Sequence, residues 1–542
     1  MILWLLILAP LATALAVTLA PREAGKGVAL LGSIVSVVLT VYAAIAFDWS
    51  NAASMQLGTA SGLPLLPDFG LTLSLGVDSV ALWLIILAAF LQPLMVLGSF
   101  TAITSNTKAY YAWLSALQAA MVGVFAAGDL LFFYFCFELT LVPMYILISV
   151  FGSTNRKRAA IKFFLYTFTG SIIALAGFVY VALHAQSLYG EWSFDIGTLA
   201  AAARTMTFEE QSLVLLAMLL GFGVKVPIFP LHTWLPLAHT EAPTAGSVVL
   251  AGVLLKLGTY AMYRFILPFL PEAVSYYAPA IAVLAIIGIV YAGLICWVQR
   301  DVKKLVAYSS VSHLGFCVLG LFALNSIGLQ GSVLYMINHG LSTGALFFCI
   351  GFMYERYHTR SMNELGGLAK KMPVWAFFMG FFTMASVGLP GLNGFVSELL
   401  CLLGTFTSGA EAYGPGGTAG NLGPWFAVAA GFGMIVAAIY LLYMVGKVVF
   451  GPLQEPTGHH HHGPLPVDLS AREIAVLTPI ALACLVLGIY PKPLLTTLEA
   501  PLDQTVQTYA ELDADPASEP GTAVAARENA LNPIANTAGD DR

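Results

Sequence analysis

Long apolar runs separated by short polar connections dominate the chain. Stretches without Asp, Glu, Lys or Arg include residues 27–47, 79–107, 163–190, 273–299, 305–354 and 412–446. A helix needs about 20 apolar residues to cross a bilayer core that is about 30 Å thick. Splitting the longest runs at turn residues such as Asn325 and Ser326 predicts about fourteen transmembrane helices. Their predicted starts lie near residues 1, 27, 78, 109, 130, 163, 212, 245, 278, 305, 332, 374, 425 and 473.

Composition supports an all-α polytopic membrane protein. Hydrophobic residues make up 58% of the 542 positions and charged residues only 10%, with a mean hydropathy of +0.83. Soluble domains carry about 25% charged residues. The net charge of −6 arises in residues 501–542, which hold eight acids and two bases, while the rest of the chain balances at 21 acids and 21 bases. A chain without a basic surface does not neutralise phosphates, so nucleic acid is excluded as a partner.

The basic residues outside the membrane predict the orientation. Sixteen Lys and Arg residues fall in one set of connections, and five fall in the opposite set. Cytoplasmic loops carry the excess of positive charge. With an even number of spans, both termini are therefore expected on the outer side of a bacterial inner membrane. Residues 1–20 lack a basic leading region and are interpreted as a retained span, not as a cleaved signal.

Four ionisable residues interrupt the predicted spans, and they are the main functional candidates. They are Glu138, Lys225, Lys256 and Glu398. Each charge at a bilayer centre costs roughly 2.5 to 3.5 kcal/mol, so such residues mark functional sites by default. Static ion pairs such as Glu138 with Lys225 are one interpretation. A proton relay is the other, because burial and a nearby opposite charge shift the pKa of a Lys or Glu in opposite directions.

Histidines extend this series within the uncharged run 305–354. His339 shares a helical stripe with Tyr335, Ser342 and Thr343, and such a stripe can carry a chain of water molecules. His313 is a secondary candidate. Haem ligation by paired histidines is an alternative interpretation, although the sequence contains no motif for covalent haem attachment.

A Pro-rich hinge carries three further secondary candidates, His232, His239 and Glu241. A metal site is conceivable from this spacing, but the four prolines make regular helical ligand geometry doubtful, which favours proton entry or hinge fixing. The tetrad His459 to His462 lies in a polar loop and is assigned no role. The six cysteines lie in apolar segments without a C-x-x-C pair, so no metal or redox cofactor is expected in this chain.

Two of the predicted helices are broken in the middle. Pro227 and Pro230 interrupt the seventh, and the sequence 388–394 (GLPGLNG) interrupts the twelfth. Interruptions at corresponding positions of two repeats indicate an ion path in transporters with internal symmetry. The predicted organisation is helices one to three (1–108), two inverted five-helix repeats (109–267 and 278–450), helix fourteen (473–492) and a polar acidic tail (493–542).

Several ordered motifs resemble the antiporter-like membrane subunits of respiratory complex I. They are residues 225–236 (KVPIFPLHTWLP), 238–247 (AHTEAPTAGS), 254–260 (LLKLGTY), 301–315 (DVKKLVAYSSVSHLG) and 388–391 (GLPG). The family usually carries Lys in the broken twelfth helix, whereas its M-type branch carries Glu, as Glu398 does here. Leu237 departs from the family, which often has Asp at that position, so a proton-entry role there is in doubt.

The resemblance implies a proton path from Glu138 and Lys225 through Lys256 and His339 to Glu398. It implies a subunit of a proton-translocating NADH:quinone oxidoreductase. NADH, FMN, iron–sulfur clusters and quinone would bind to partner subunits, and L-type and N-type paralogues would be neighbours in the membrane. Two alternatives stay open: a subunit of a multisubunit sodium/proton antiporter, and a structural membrane scaffold with static charge pairs.

Overall fold

Helices form almost all of the computed structural model, which describes residues 1–58, 62–66, 71–409, 420–456 and 466–513. The helices up to the first Pro-rich segment are α1 (Ile2–Leu19), α2 (Gly25–Ala46), α3 (Ser79–Gly98), α4 (Thr107–Ala126), α5 (Leu130–Phe151), α6 (Arg156–Tyr189), α7 (Ile196–Ala203) and α8 (Phe208–Lys225). Those that follow are α9 (Leu235–Glu241), α10 (Thr244–Phe269), α11 (Pro271–Val298), α12 (Val302–Phe322), α13 (Ser326–Tyr357), α14 (Pro373–Val387), α15 (Asn393–Thr407), α16 (Pro424–Val448), α17 (Ala471–Ile489) and α18 (Lys492–Asp513).

Twelve helices in the described ranges are long and apolar enough to cross a membrane. They begin close to the starts that the hydrophobic pattern predicts, so the prediction of a polytopic helical membrane protein is confirmed. One small departure from an all-helical fold is a hairpin of β1 (Leu63–Leu66) and β2 (Leu71–Leu73), which pair in antiparallel fashion.

The centre of the bundle is formed by α10, α12 and α13. These helices are buried along almost their whole length, whereas α1, α2 and α6 leave apolar faces exposed. Exposed Leu, Ile and Val side chains on the outer helices suit contact with lipid tails. Polar residues on the central helices therefore face protein and not hydrocarbon.

Aspartates cap the N-termini of four helices. This capping role explains how these acidic side chains are tolerated near the membrane. The N-caps of α3, α5, α7 and α12 are Asp78, Asp129, Asp195 and Asp301, and each accepts a hydrogen bond from a first-turn backbone N–H. Such a cap stabilises a helix by about 1 kcal/mol.

The first part of the predicted acidic tail is helical. Residues 492–513 form α18, in which Leu494, Leu498, Leu502 and Tyr509 are buried against the bundle. The Tyr509 hydroxyl donates a hydrogen bond of 2.6 Å to the Leu267 carbonyl, which ties the far end of α18 to α10. Apolar residues spaced four apart made this segment an amphipathic helix in spite of its acids. The rest of the acidic tail and His459 to His462 lie outside the described residues.

Candidate functional site

Lys225 is the last residue of α8, directly before the segment that contains Pro227 and Pro230. Its side chain is 4% exposed, and Nζ donates a hydrogen bond of 3.1 Å to Thr140 Oγ1. Nζ also lies 4.2 Å from the ring centroid of Phe137, a cation–π distance. A hydroxyl and an aromatic ring, both on α5, therefore hold this charge.

Glu138 is partly buried on the same helix as Thr140. Its Oε1 is buried without a hydrogen-bond partner among the described residues, and the carboxylate lies within electrostatic range of Lys225. The ion pairs within 4.0 Å in the described ranges do not join Glu138 directly to Lys225. The expected pairing is thus an interaction at longer range, with Thr140 as the group in contact with the lysine.

Lys256 lies near the middle of α10, between two π-helical turns, 250–254 and 262–266. The side chain is fully buried. Its Nζ donates to the carbonyl of Ala251 and lies 2.7 Å from Nδ1 of His339 on α13. Whenever Lys256 is charged it must donate this bond, and a neutral His339 then carries its proton on Nε2. π-turns occur frequently at functional sites because they disturb the regular ladder of backbone hydrogen bonds.

Glu398 is the end of a second buried cluster, which α12, α13 and α15 form together. The Tyr335 hydroxyl contacts Glu398 Oε1 and lies 2.7 Å from His313 Nδ1. His313 Nδ1 is also 3.5 Å from Glu398 Oε1. All three side chains are at most 3% exposed. His313 is therefore a central member of the cluster, a stronger position than the sequence indicated.

The two clusters meet at the histidines. The ring centroids of His313 and His339 are 5.9 Å apart, with the planes tilted by 58°. Neither Nε2 atom has a hydrogen-bond partner among the residues that the structure describes. Lys256, His339, His313 and Glu398 consequently follow one another in space, although they come from four helices.

A glycine-rich break between α14 and α15 positions Glu398. Gly388 adopts a φ of +82° as the C-cap of α14, and a Cβ built there would lie 2.5 Å from Glu398 Oε2. Glycine is therefore required both by the backbone angle and by the carboxylate. On the other side of the break, Asn338 Nδ2 donates 2.7 Å to the Asn393 carbonyl and 3.1 Å to Ser397 Oγ. These bonds satisfy polar groups at the start of α15 inside the bundle.

The remaining secondary candidates, His232, His239 and Glu241, form no hydrogen bond with the residues of this row. His232 contacts the rings of Phe229 and Tyr291, at centroid distances of 5.9 and 5.7 Å. His239 stacks on Phe347 at 4.7 Å, and neither of its ring nitrogens has a hydrogen-bond partner in the described part of the chain. Across those ranges, no three His, Cys, Asp or Glu side chains are grouped as a metal site.

Glu241 has a structural role. Its Oε2 accepts hydrogen bonds of 2.6 Å from Ser153 Oγ and 2.8 Å from the Asn155 backbone N–H. Asn155 immediately precedes α6, so the carboxylate lies at the positive end of that helix dipole. This arrangement favours hinge fixing for Glu241 over metal binding.

Comparison with known proteins identifies the family. Residues 127–413 match the family described as NADH:quinone oxidoreductase/Mrp antiporter, TM. The NADH-quinone oxidoreductase subunit M of Rhodobacter capsulatus is 38% identical over 92% of this chain and 95% of its own length. The NAD(P)H-quinone oxidoreductase chain 4 of Gloeobacter violaceus is 39% identical over 95% of both chains. The chain belongs to the subunit M/chain 4 family.

Solved structures agree with this assignment. A chain of respiratory complex I from Thermus thermophilus superposes with a TM-score of 0.80 at 28% identity, covering 94% of this chain and 100% of that one. A chain of the Mrp complex from Dietzia sp. shares the fold, with a TM-score of 0.75 at 20% identity over 94% of this chain and 98% of its own. Members of the subunit M/chain 4 family are thus antiporter-like membrane subunits of an enzyme complex.

Two basic residues of this subunit M/chain 4 homologue, counted from the sequence as loop residues, are in fact buried. Arg356 forms a two-pronged ion pair with Glu473 at 2.9 and 2.8 Å, and both side chains are 0% exposed. Lys303 donates 2.6 Å to the carbonyl of Ala242. The sequence pattern Ser470-Ala-Arg-Glu473 is a capping-box signature at the start of α17. It was the available signal that Glu473, the partner of Arg356, belongs to the fold.

Proposed function

We propose that this subunit moves protons across the membrane as part of an NADH:quinone oxidoreductase. The observation that carries the proposal is the buried row of Lys256, His339, His313 and Glu398, linked by contacts of 2.7 Å at Lys256–His339 and 3.5 Å at His313–Glu398. Each of these groups accepts and releases a proton, and all four lie in the buried centre of the bundle. A scaffold held by static ion pairs does not need two histidines between its charges.

The residues have distinct roles in this proposal. Glu138 adjusts the charge state of Lys225 from a distance, and Lys225 takes up a proton beside Thr140. The proton passes to Lys256 and His339, and Glu398 is the terminal donor. His313 and Tyr335 connect the histidine pair to Glu398. His239 and His232 stay candidates for proton entry.

The energy for transport comes from partner subunits. Moving one elementary charge against 100 mV costs about 2.3 kcal/mol. We infer that electron transfer from NADH through FMN and iron–sulfur clusters to quinone, all in other subunits, supplies it through coupled shifts of buried charges. This subunit contributes no redox centre, and its neighbours in the membrane are L-type and N-type paralogues.

The proposed topology has fourteen spans in a bacterial inner membrane, with both termini on the outer side. The twelve long apolar helices, α8 with its continuation α9, and the pair α14 and α15 would make up this number. Repeats of five spans each, 109–267 and 278–450, would be inverted because five is odd. The excess of Lys and Arg in one set of connections supports this orientation.

Replacement of Lys225 tests the function. In the intact complex reconstituted in vesicles, Lys225→Ala is expected to abolish or greatly weaken proton translocation during NADH oxidation, since Thr140 and Phe137 are left without the proton carrier. Lys157→Ala, which removes an exposed base at the start of α6, is the matched control and should pump normally. Normal pumping by an assembled Lys225→Ala complex would favour the scaffold instead.

A further inference from the structure

A polar cavity lies far from the proposed proton path, where α18 crosses the ends of α3, α7 and α10. Its volume is about 520 Å³, within the range of small-molecule sites. It opens on the membrane face where α3 begins. The opposite end of α3 lies near Lys26, whose Nζ donates to the Phe100 carbonyl, so the cavity is on the face away from the basic connections.

Two arginines line this cavity, and they have more N–H donors than there are acceptors for them among the described residues. Arg204 donates through Nε to the Pro268 carbonyl at 2.9 Å, and its two terminal nitrogens donate to no residue in the described part of the chain. Arg264 donates 2.9 Å to Asp78, but its other terminal nitrogen contacts the Met55 sulfur, a weak acceptor. Arg264 Nε is buried and has no acceptor among the described residues.

The acidic residues of the cavity do not remove this surplus. Asp78 uses Oδ1 to accept the Ala81 N–H at the start of α3 and Oδ2 to accept from Arg264. Asp195 uses Oδ2 to accept from the backbone and hydroxyl of Thr198 at the start of α7. Both oxygens of Asp78 and one oxygen of Asp195 are therefore engaged with helix caps and one arginine.

We propose that this cavity binds a phosphate group. Guanidinium groups match phosphate oxygens through paired, charge-assisted hydrogen bonds, which are about twice as strong as neutral ones. The amides of Gln504 and Gln507 on α18 add donors at the exposed rim. Phospholipid headgroups of the adjoining leaflet and free inorganic phosphate both offer this chemistry. The inference is independent of the proton path, because none of the relay residues lines the cavity.

A photocrosslinking experiment on the intact complex tests the site. Gln507 is replaced by p-benzoylphenylalanine, the complex is irradiated in membranes, and phospholipid adducts of the subunit are measured by mass spectrometry. In a second arm, the complex is depleted of lipid and its retention of radiolabelled inorganic phosphate is measured. Both arms are repeated with Arg204→Gln, Gln504→Glu and Lys492→Gln.

Arg204→Gln should lower the signal about tenfold, the loss expected for one charge-assisted hydrogen bond. Gln504→Glu should act similarly by placing a carboxylate at the rim without touching either arginine, which covers the case that Arg204→Gln fails to assemble. Lys492 lies about 18 Å from Gln504 along α18, so Lys492→Gln should have no effect. A variant-sensitive lipid adduct identifies a phospholipid, and variant-sensitive retention of phosphate alone identifies the free anion. Signals that are absent, or equal in all variants, would overturn the proposal.

Discussion

At the scale of single residues, the central feature is that Lys225, Lys256 and Glu398 each have a specific contact inside the bundle. Lys225 is held by Thr140 and Phe137, Lys256 by His339, and Glu398 by Tyr335. An isolated buried charge is destabilising, whereas one with hydrogen bonds keeps its place and can still exchange a proton. The contacts therefore explain why these charges are tolerated inside the bundle, and they support the proposed proton transfer.

Glu398→Gln tests the terminal donor. Glutamine keeps the size of the side chain and an oxygen for Tyr335, but it cannot release a proton at physiological pH. The number of protons translocated per NADH oxidised is expected to fall below the wild-type value, while Glu364→Gln, at an exposed position, keeps that value. Vesicle acidification measured together with NADH oxidation decides this, and an unchanged stoichiometry in Glu398→Gln would refute the role.

The sequence identified most of the candidate row but not its connections. Glu138, Lys225, Lys256 and Glu398 were recognisable because charges are rare in apolar spans. The central place of His313 was not, since it depends on how α12 packs beside α13, which no spacing within one helix reveals. For the same reason the direct contact of Glu138 with Lys225 was overestimated.

At the scale of elements, helix breaks place the charges. Lys225 ends α8 where two prolines prevent the helix from continuing, and Glu398 lies in the first turns of α15 after the glycine-rich break. These breaks were readable from Pro and Gly in the sequence. The helix α18 was not predicted because the acids of residues 501–542 outweighed a stripe of leucines spaced four apart, which packs where α18 contacts α3 and α10.

Gly388→Ala is expected to impair proton transfer through its effect on Glu398. A methyl group there would collide with Oε2, in addition to a cost of about 1–2 kcal/mol for the left-handed backbone. Gly391→Ala is a matched control, because Gly391 also has a positive φ, +92°, but has nothing within 4 Å of its Cβ position. Both variants should lose stability through the backbone angle, and only Gly388→Ala should lose pumping. Equal pumping in the two would contradict the positioning of Glu398 by the break.

The buried pair of Arg356 and Glu473 is expected to fasten α13 to α17. Glu473→Ala leaves an unpaired guanidinium inside the bundle and should cost about 3–5 kcal/mol, whereas the double variant Arg356→Met/Glu473→Leu should cost less than either single change. Thermal unfolding of the purified complex measures this.

The exposed pair Lys371–Glu455 provides the comparison for that measurement. Its side chains are 45% and 27% exposed, so Lys371→Ala should cost under about 1 kcal/mol. Suppose that the double variant Arg356→Met/Glu473→Leu is less stable than both single variants. The ion pair itself would then stabilise the helices, and the cost of leaving one charge unpaired would not explain the single variants.

At the scale of the whole molecule, lipid-facing helices surround a polar centre. The buried helices α10, α12 and α13 carry Lys256, His313 and His339, and the outer helices α1, α2 and α6 present apolar faces. This distribution lets protonatable groups meet without exposure to hydrocarbon. The hydrophobic pattern predicted a polytopic helical protein and the positions of the twelve spans that the described residues contain, but which of them lie at the centre depends on tertiary packing.

The most direct test of proton conduction through this row is the proton-to-electron ratio of a Lys256→Met complex. Methionine has a similar shape without a titratable group, and position 256 is the end of the row that contacts His339. The account predicts an assembled complex that oxidises NADH with most of its proton translocation lost. A wild-type ratio in that complex would contradict it.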